Sequence, residues 1–355
     1  MAADYPTRLD EKVGAFSEQL ARRADVALAV YPSAASGYRM RCEFRIWHEG
    51  ERSGYAMYEP GSKKLRGLSE FSPASPVIQK TMPALLAAVV ADAHLRARLY
   101  AVEFLSTLSG ELLITLIYHR RLDAAWEHAA AALGGALNAY VIGRSKKQRL
   151  VVSQDHVTEA LNIAGRTYRY RQIEGGFSQP NARVNERMIT WAGQQAEGIG
   201  GDLLELYCGN GNFTLPLARH FRRVLATEIS KTSLAALAWS LAENGIDNIA
   251  YARLSAAEAR EALDRVRPFR RLAHIDLDSY DFYTVLVDPP RAGVDRSTMQ
   301  LLRRCDNVLY ISCNPRTLFA NLDELGESHG IEAAAAFDQF PLTPHLEAGI
   351  KLRRR

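Results

Sequence analysis

The stretch LLELYCGNGNFTLPLA, residues 203–218, decides the fold. Leu203–Tyr207 is a short apolar-rich run that reads as a buried strand. Gly209 and Gly211 then allow a tight loop in which backbone can approach a ligand, and the apolar pattern behind them predicts a helix whose N-terminus faces that ligand. Strand, glycine loop and helix open a doubly wound parallel sheet. A dinucleotide fingerprint would place a third glycine at position 214, where this chain has Thr214. The next strand ends LATEIS and sets Glu228 where a carboxylate can accept from ribose hydroxyls. Loop and acid fit either NAD or S-adenosylmethionine, and the missing glycine favours the latter. An α/β domain with no nucleotide at all is the plainer reading, which the acid at the strand end disfavours.

Outward from this unit the pattern repeats. Val224–Thr227, Asn248–Ala252, Thr284–Val287 and Val308–Ile311 read as strands, separated by helical patterns such as KTSLAALAWSLAENG at 231–245. Ile331–Leu352 predicts two antiparallel strands around PLTPHLEAG. Such a sheet binds ligands at the carboxyl ends of its strands. The first half has a different, mixed α/β texture. RLDEKVGAFSEQLARRAD (8–25) has helical periodicity, and YRMRCEFRIW (38–47) alternates. Tyr38, Met40, Cys42, Phe44 and Ile46 share one strand face, opposite Arg39, Arg41, Glu43, Arg45 and Trp47. Basic clusters follow at GSKKLRG (61–67), YHRR (118–121) and GRSKKQR (143–149). A solvated surface explains the strand alone, but the added basic loops suit a phosphate backbone. The expected division is an RNA-binding α/β domain over residues 1–170 and a catalytic domain over 171–355.

The bulk composition sets the outer limits. A chain of 355 residues implies two domains, and 47% hydrophobic with 24% charged residues is globular. There is no solenoid repeat. The polar start MAADYPTRLDEKVGAF does not read as a signal peptide, and the longest apolar run, Pro83–Ala91, is too short to span a bilayer. The four cysteines have neither paired metal spacing nor the density of a disulfide framework. A soluble cytoplasmic protein with reduced thiols is expected. With a net charge of +4, any polyanion site must come from local clustering.

Chemistry gathers at two later strand ends. LVDPPRAG (286–293) ends a strand at Asp288, and Pro289 and Pro290 make a stiff wall that donates no hydrogen bonds. Amino-group methyltransferases place an aromatic residue after Asp-Pro-Pro; this chain has Arg291, suited to a phosphate or a base carbonyl. YISCNPRTL (310–318) sets Cys313 at the lip of the next strand. Taken alone, Cys313 supports a buried structural thiol and a nucleophile equally. Cys42, Cys208 and Cys305, the last in a helical-looking LLRRCDN, read as packing thiols. Beside a methyl-donor loop, a thiolate would solve a specific problem: C5 of uridine attacks a sulfonium methyl group only after a nucleophile has added to C6. A separate base must then remove the C5 proton, and Glu347 in PHLEAG is the candidate.

FSQPN, ELYCGNGNF, VDPPR, YISCNP and HLEAG, with YRMRCEFRIWHEG near the start, resemble the bacterial tRNA (uracil-5-)-methyltransferases over nearly the whole chain. The resemblance implies a Rossmann-like class I methyltransferase domain joined to an amino-terminal RNA-binding domain. It implies Cys313 as nucleophile and Glu347 as base, with Gln179, Tyr207, Asn212, Glu228 and Asp288 contacting S-adenosylmethionine. Arg45, His119, Phe177, Gln179 and Arg291 would lie near the RNA. Phe177 reads equally as a base-stacking surface or as a core aromatic at the domain junction. The implied substrate is the T-loop uridine of tRNA, with tmRNA as a T-loop-like addition, and a monomer is expected. Ribosomal-RNA relatives carry an OB-like domain and an iron–sulfur cluster; Cys42 is the single cysteine before Cys208, so no metal or cluster is expected. Two alternatives remain: an amino-group methyltransferase on this fold, which would need no cysteine, and a non-catalytic tRNA-folding protein.

Overall fold

The glycine loop lies where the sequence predicts, at the carboxyl end of a buried parallel strand. The structure is a computed structural model and describes residues 4–59 and 61–355. In chain order the elements are α1 (Tyr5–Ala21), β1 (Leu28–Tyr31), β2 (Arg41–Glu49), β3 (Arg52–Tyr58), β4 (Leu65–Leu68), α2 (Pro76–Ala91), α3 (Ala93–Arg96), β5 (Leu99–Ser106) and β6 (Leu112–Tyr118). Next come α4 (Ala124–Leu137), β7 (Tyr140–Ser145), β8 (Gln148–Val151), β9 (His156–Ile163), β10 (Arg166–Ile173) and α5 (Ala182–Ala196). The remainder supplies β11 (Asp202–Leu206), α6 (Thr214–Leu217), β12 (Arg223–Thr227), α7 (Lys231–Asn244), β13 (Ile249–Ala252), α8 (Ala256–Leu263) and β14 (Phe282–Val287). It ends with α9 (Arg296–Leu302), β15 (Asn307–Ser312), α10 (Pro315–Leu325), β16 (His329–Phe337) and β17 (Glu347–Arg354).

The chain divides into two units: Met1–Ser33, Leu161–Tyr170 and Arg183–Arg355 form the first, and Ala34–Ala160 with Arg171–Ala182 the second. The first holds an eight-stranded sheet in the order β1-β16-β17-β15-β14-β11-β12-β13. Its central strands are mostly apolar because helices cover both faces of a parallel sheet; every residue of β11 is buried, Asp202 and Glu205 included. β17 alone runs against its neighbours, pairing antiparallel with β15 and β16 as the sequence predicts for 331–352. A linear boundary at 170 does not describe these units. β1 adds in parallel to β16, from Leu28 opposite Ala334 to Tyr31 opposite Phe337. Phe16 and Leu20 of α1 are buried in the same core, with the Phe16 and Phe319 rings 4.9 Å apart. Pairings across some 300 residues thus draw the first segment into the carboxyl-terminal unit. Two smaller expectations also change. The helix after the glycine loop is only the four-residue α6, continued by a 3-10 turn at Ala218–His220, and Cys305 lies just past α9 rather than within it.

The second unit holds a seven-stranded sheet ordered β4-β3-β2-β5-β6-β7-β8, antiparallel except for the β6–β7 pair, which α4 connects. The alternation of β2 is borne out: Cys42, Phe44 and Ile46 are buried among residues of α2, α3 and α4. The opposite face is less available than three arginines suggest. Arg39 lies before the strand and donates through Nε to the Arg41 carbonyl, while Arg41 donates to the Gly176 carbonyl at 2.5 Å and pairs with Glu103 at 3.5 Å. Among the described residues no helix is long and apolar enough to cross a membrane.

Candidate active site

Four of the singled-out side chains each follow the last residue of a neighbouring strand in the first unit. Leu206 pairs with Thr227 and with Val287, and Val287 with Tyr310, so Tyr207, Glu228, Asp288 and Cys313 collect at one edge of the sheet. Ser312 pairs with Ala348 across the antiparallel β15–β17 ladder. Cys313 and Glu347, the first residue of β17, are the next residues along these two strands, and Glu347 lies close enough to raise the Cys313 thiol.

The loop that precedes α6 is shaped for close approach. Tyr207 has φ +62°, a left-handed conformation costing a non-glycine residue about 1–3 kcal/mol, the kind of strain found at functional sites. Gly211, at φ +90°, leaves no room for a side chain: a Cβ would stand 2.5 Å from Leu215 and from Leu237. Gly209 opens onto empty space instead. Glu228 braces the loop, its carboxylate accepting from the Gly209 N–H at 3.1 Å and the Ser230 N–H at 2.7 Å. A carboxylate has about four acceptor sites, so ribose hydroxyls could still be accepted. Asn212 exchanges side-chain hydrogen bonds with Asn185 of α5 at 2.7 and 2.9 Å, which fixes its amide. Ile229 stands 68% exposed beside the acid and offers an apolar surface to a ring.

The electrostatics is that of acids short of cations. Burial pushes Asp288 up to about 7, and no hydrogen bond reaches its carboxylate among the described residues. Burial and then the nearby Asp288 push Glu347, only 4% exposed, up to about 8, with Arg291 pulling the other way. Glu205, 1% exposed in β11, is also raised to about 8, first by burial and also by Asp288, and its Oε2 has no partner. A carboxyl oxygen without a partner among the described residues, an open glycine loop and an apolar flank fit S-adenosylmethionine, whose sulfonium and ammonium charges would favour ionisation of these acids. Glu205 was hidden in the sequence as one polar letter in an apolar run; its signal was a glutamate at a position where every neighbour is buried.

Cys313 is the half-buried cysteine; Cys42, Cys208 and Cys305 are buried, and burial pushes Cys42 and Cys305 up to about 12. Burial, Glu347 and Asp288 hold the Cys313 thiol up to about 11, while Arg291 lowers it. Cys313 opens into a cleft of about 670 Å³ between α1, α10 and residues 344–346. Arg291 also faces this cleft and donates to His345 Nδ1 at 3.0 Å. Burial and then the charges of Arg291 and Lys12 lower the His345 pKa, which favours the neutral ring that accepts that bond. Lys12 reaches from α1 into a buried ion pair with Asp338 and donates to the carbonyls of Phe340 (3.1 Å) and His345 (3.2 Å), which ties down the segment leading to Glu347.

Arg45, His119, Phe177 and Gln179 belong to the second unit. Phe177 is 73% exposed, which removes its reading as a core aromatic. Arg45 and His119 come together on a residue that the sequence reading missed, Tyr100. The Arg45 guanidinium lies 4.2 Å from the Tyr100 ring centroid, and the His119 ring stacks on the same tyrosine at 4.0 Å.

Comparison with known proteins gives this geometry a family. The model of the tRNA (Uracil-5-)-methyltransferase family matches residues 4–355. A tRNA/tmRNA (uracil-C(5))-methyltransferase of Neisseria meningitidis serogroup A is 54% identical over 99% of both chains. One of the same name from Aromatoleum aromaticum is 51% identical over 99% of this chain and 96% of its own. A Pyrococcus abyssi tRNA (uracil-54, C5)-methyltransferase, solved with S-adenosyl-L-homocysteine, superposes with a TM-score of 0.74 at 18% identity, covering 98% of this chain and 83% of its own, and so shares the fold. Matched by that family model along essentially its whole length, and more than half identical to such relatives, the chain belongs to the tRNA (uracil-5-)-methyltransferase family.

Proposed function

We propose that this chain transfers a methyl group from S-adenosylmethionine to C5 of the T-loop uridine of tRNA, and of T-loop-like RNA such as tmRNA, in the cytoplasm. The observation that supports the mechanism is the β15–β17 register, whose last pair, Ser312 with Ala348, is followed by the cleft-facing thiol of Cys313 and the buried carboxyl of Glu347. Bound S-adenosylmethionine supplies an electrophilic methyl group on a sulfonium. Tyr207, Gly209, Gly211 and Asn212 would shape its cradle, Glu228 would accept from its ribose, and Asp288 would face its positive charge.

The protein's own part is to make C5 a nucleophile and then to restore the ring. Cys313 loses its proton to solvent through the cleft, favoured by the Arg291 charge. The thiolate forms a bond to C6, and the C5–C6 π electrons move towards O4 to give an enolate. C5 then accepts the methyl group. Glu347, as carboxylate, removes the C5 proton; the freed pair rebuilds the C5–C6 double bond and expels the Cys313 thiolate. A carboxyl raised to about 8 is a far stronger base than an ordinary glutamate, which suits that step. Arg45, His119, Phe177 and Arg291 are assigned to RNA. The exposed Phe177 ring can stack on an unpaired base, which helps offset the few kcal/mol of flipping the target out.

The test is nucleoside mass analysis of T-loop-unmodified tRNA incubated with S-adenosylmethionine and either wild type or Cys313→Ala. 5-Methyluridine with the wild type alone supports the reading. Methylation at an amino group that survives Cys313→Ala would replace it with the amino-methyltransferase alternative. Absence of any product with folded, cofactor-binding wild type would leave the tRNA-folding alternative.

A further inference from the structure

The two basic clusters YHRR (118–121) and GRSKKQR (143–149) meet in the second unit across one cleft of about 660 Å³. Residues 118–121, at the end of β6, form one wall and residues 145–148, the β7–β8 hairpin, form the other; no acid lines it. The hairpin is pinned in place. Gln148 donates to the Leu122 carbonyl at 2.8 Å, accepts from the Leu122 N–H at 2.9 Å, and is bonded by the Ser145 hydroxyl at 3.1 Å.

The cations of the two clusters divide into committed and uncommitted. Arg144 forms a bidentate pair with Glu174 at 2.5 and 2.7 Å, and Arg149 bonds Glu174 and Asp155 at 3.0 Å each, so both are neutralised. Arg120 spends its guanidinium on the carbonyls of Ala97, His94 and Arg121. Arg121, Lys146 and Lys147 are exposed, and none makes a side-chain hydrogen bond or ion pair among the described residues. Lys147 sits at the hairpin tip with φ +61°, so its side chain is displayed by a left-handed turn. His119, on the same wall, carries the Tyr100–Arg45 stack. Three unpaired cations in a preformed, acid-free cleft repel one another until an anion enters.

We propose that this cleft is a phosphate-binding site that grips the sugar–phosphate backbone of the RNA substrate through Arg121, Lys146 and Lys147. The inference rests on the RNA reading above and adds to it a site and three residues. Phosphate contacts of this kind position a nucleic acid without reading its sequence, and each displaces a condensed counterion. The salt dependence of binding therefore counts them.

The experiment measures binding of full-length unmodified tRNA to wild type and to the Arg121→Ala/Lys146→Ala/Lys147→Ala variant across a salt series, with 5-methyluridine formation by the wild type measured in parallel. The slope of log Kobs against log salt should fall in magnitude by about two to three, since each lost phosphate contact removes about 0.7–0.9. Lys146→Arg/Lys147→Arg should keep the wild-type slope, and each single alanine variant should lose about one third of the effect. Equal slopes for wild type and triple variant overturn the cleft; if the wild type also makes 5-methyluridine, the cleft alone falls. A slope lost in the triple variant without wild-type methylation keeps the cleft and rejects the reaction. A wild type that does not bind tRNA overturns both.

Discussion

Cys313 and Glu347 lie at neighbouring ends of β15 and β17, each one residue beyond the paired Ser312 and Ala348. The antiparallel direction of β17 is what makes this possible. A parallel strand in that place would deliver its first residue to the other edge of the sheet. Burial and Asp288 raise Glu347, and burial, Glu347 and Asp288 raise Cys313, so the charge of Glu347 bears on that of the thiol. Thiolate addition and proton removal are therefore coupled chemistry on one pair of strand ends.

Replacing Glu347 by Gln leaves a nucleophile without its base. Turnover should fall by about 10²–10⁴, the usual contribution of a positioned base. The covalent enzyme–RNA species should accumulate on a denaturing gel in the presence of S-adenosylmethionine. In the wild type, the rate of C5 proton release should climb as pH rises towards about 8, where Glu347 ionises. A variant with wild-type turnover would remove Glu347 from the mechanism.

The charges around Cys313 predict opposite effects on its reactivity. Arg291 favours the thiolate and Glu347 opposes it. At pH 9 alkylation of Cys313 by iodoacetamide should be slower in Arg291→Gln and faster in Glu347→Gln than in wild type, read by peptide mass analysis. Shifts of the same sign in both variants would contradict the arrangement.

Two buried acids, Glu205 and Glu347, and the half-buried Asp288 make a pH-dependent liability. In the unfolded chain Glu205 and Glu347 ionise near 4.5 and Asp288 near 3.8; in the fold they hold their protons to about 8, 8 and 7. Between those limits the native state binds more protons, so stability falls as pH rises from about 4.5 to 8. Glu205→Gln removes one such group. Its melting temperature at pH 8 should exceed that of the wild type by a few degrees, at roughly 2–4 °C per kcal/mol, and the gap should close below pH 5. Calorimetry at both pH values checks this, and a gap that widens at low pH would reverse the sign.

Lys12 is held by Asp338 and two carbonyls, and removing it strands a buried carboxylate. Lys12→Met should cost about 3–5 kcal/mol in denaturant unfolding, and Lys12→Met with Asp338→Leu should recover most of it. Additive losses in the double variant would show that the pair is not coupled.

Arg45 should contribute to RNA binding through the face it shares with Tyr100 and His119. Arg45→Ala is expected to lower the salt slope of tRNA binding by about one. An unchanged slope would confine Arg45 to its stack on Tyr100.

The parallel strands of the first unit were legible because each is a short apolar run between turn and helix signals, and each candidate residue marks the end of one. The β1–β16 pairing was not. Leu28–Tyr31 is too short to declare a partner, and what recruits it is an edge made some 300 residues later. Tyr100 was missed because one tyrosine in an alternating strand carries no signal until Arg45 and His119 are seen on either side of it. His345 and Lys12 escaped for the same reason: their roles lie in tertiary hydrogen bonds, which leave no periodicity in the sequence.

The central claim is tested most directly with tRNA in which 5-fluorouridine replaces uridine, incubated with wild-type protein and S-adenosylmethionine. Fluorine at C5 cannot be removed as a proton, so the ring stays attached to the nucleophile after methyl transfer. The account predicts a stable adduct whose peptide map places the methylated fluorouridine on Cys313. Formation of 5-methyluridine on ordinary tRNA with no adduct on Cys313 in the fluorinated one would contradict it.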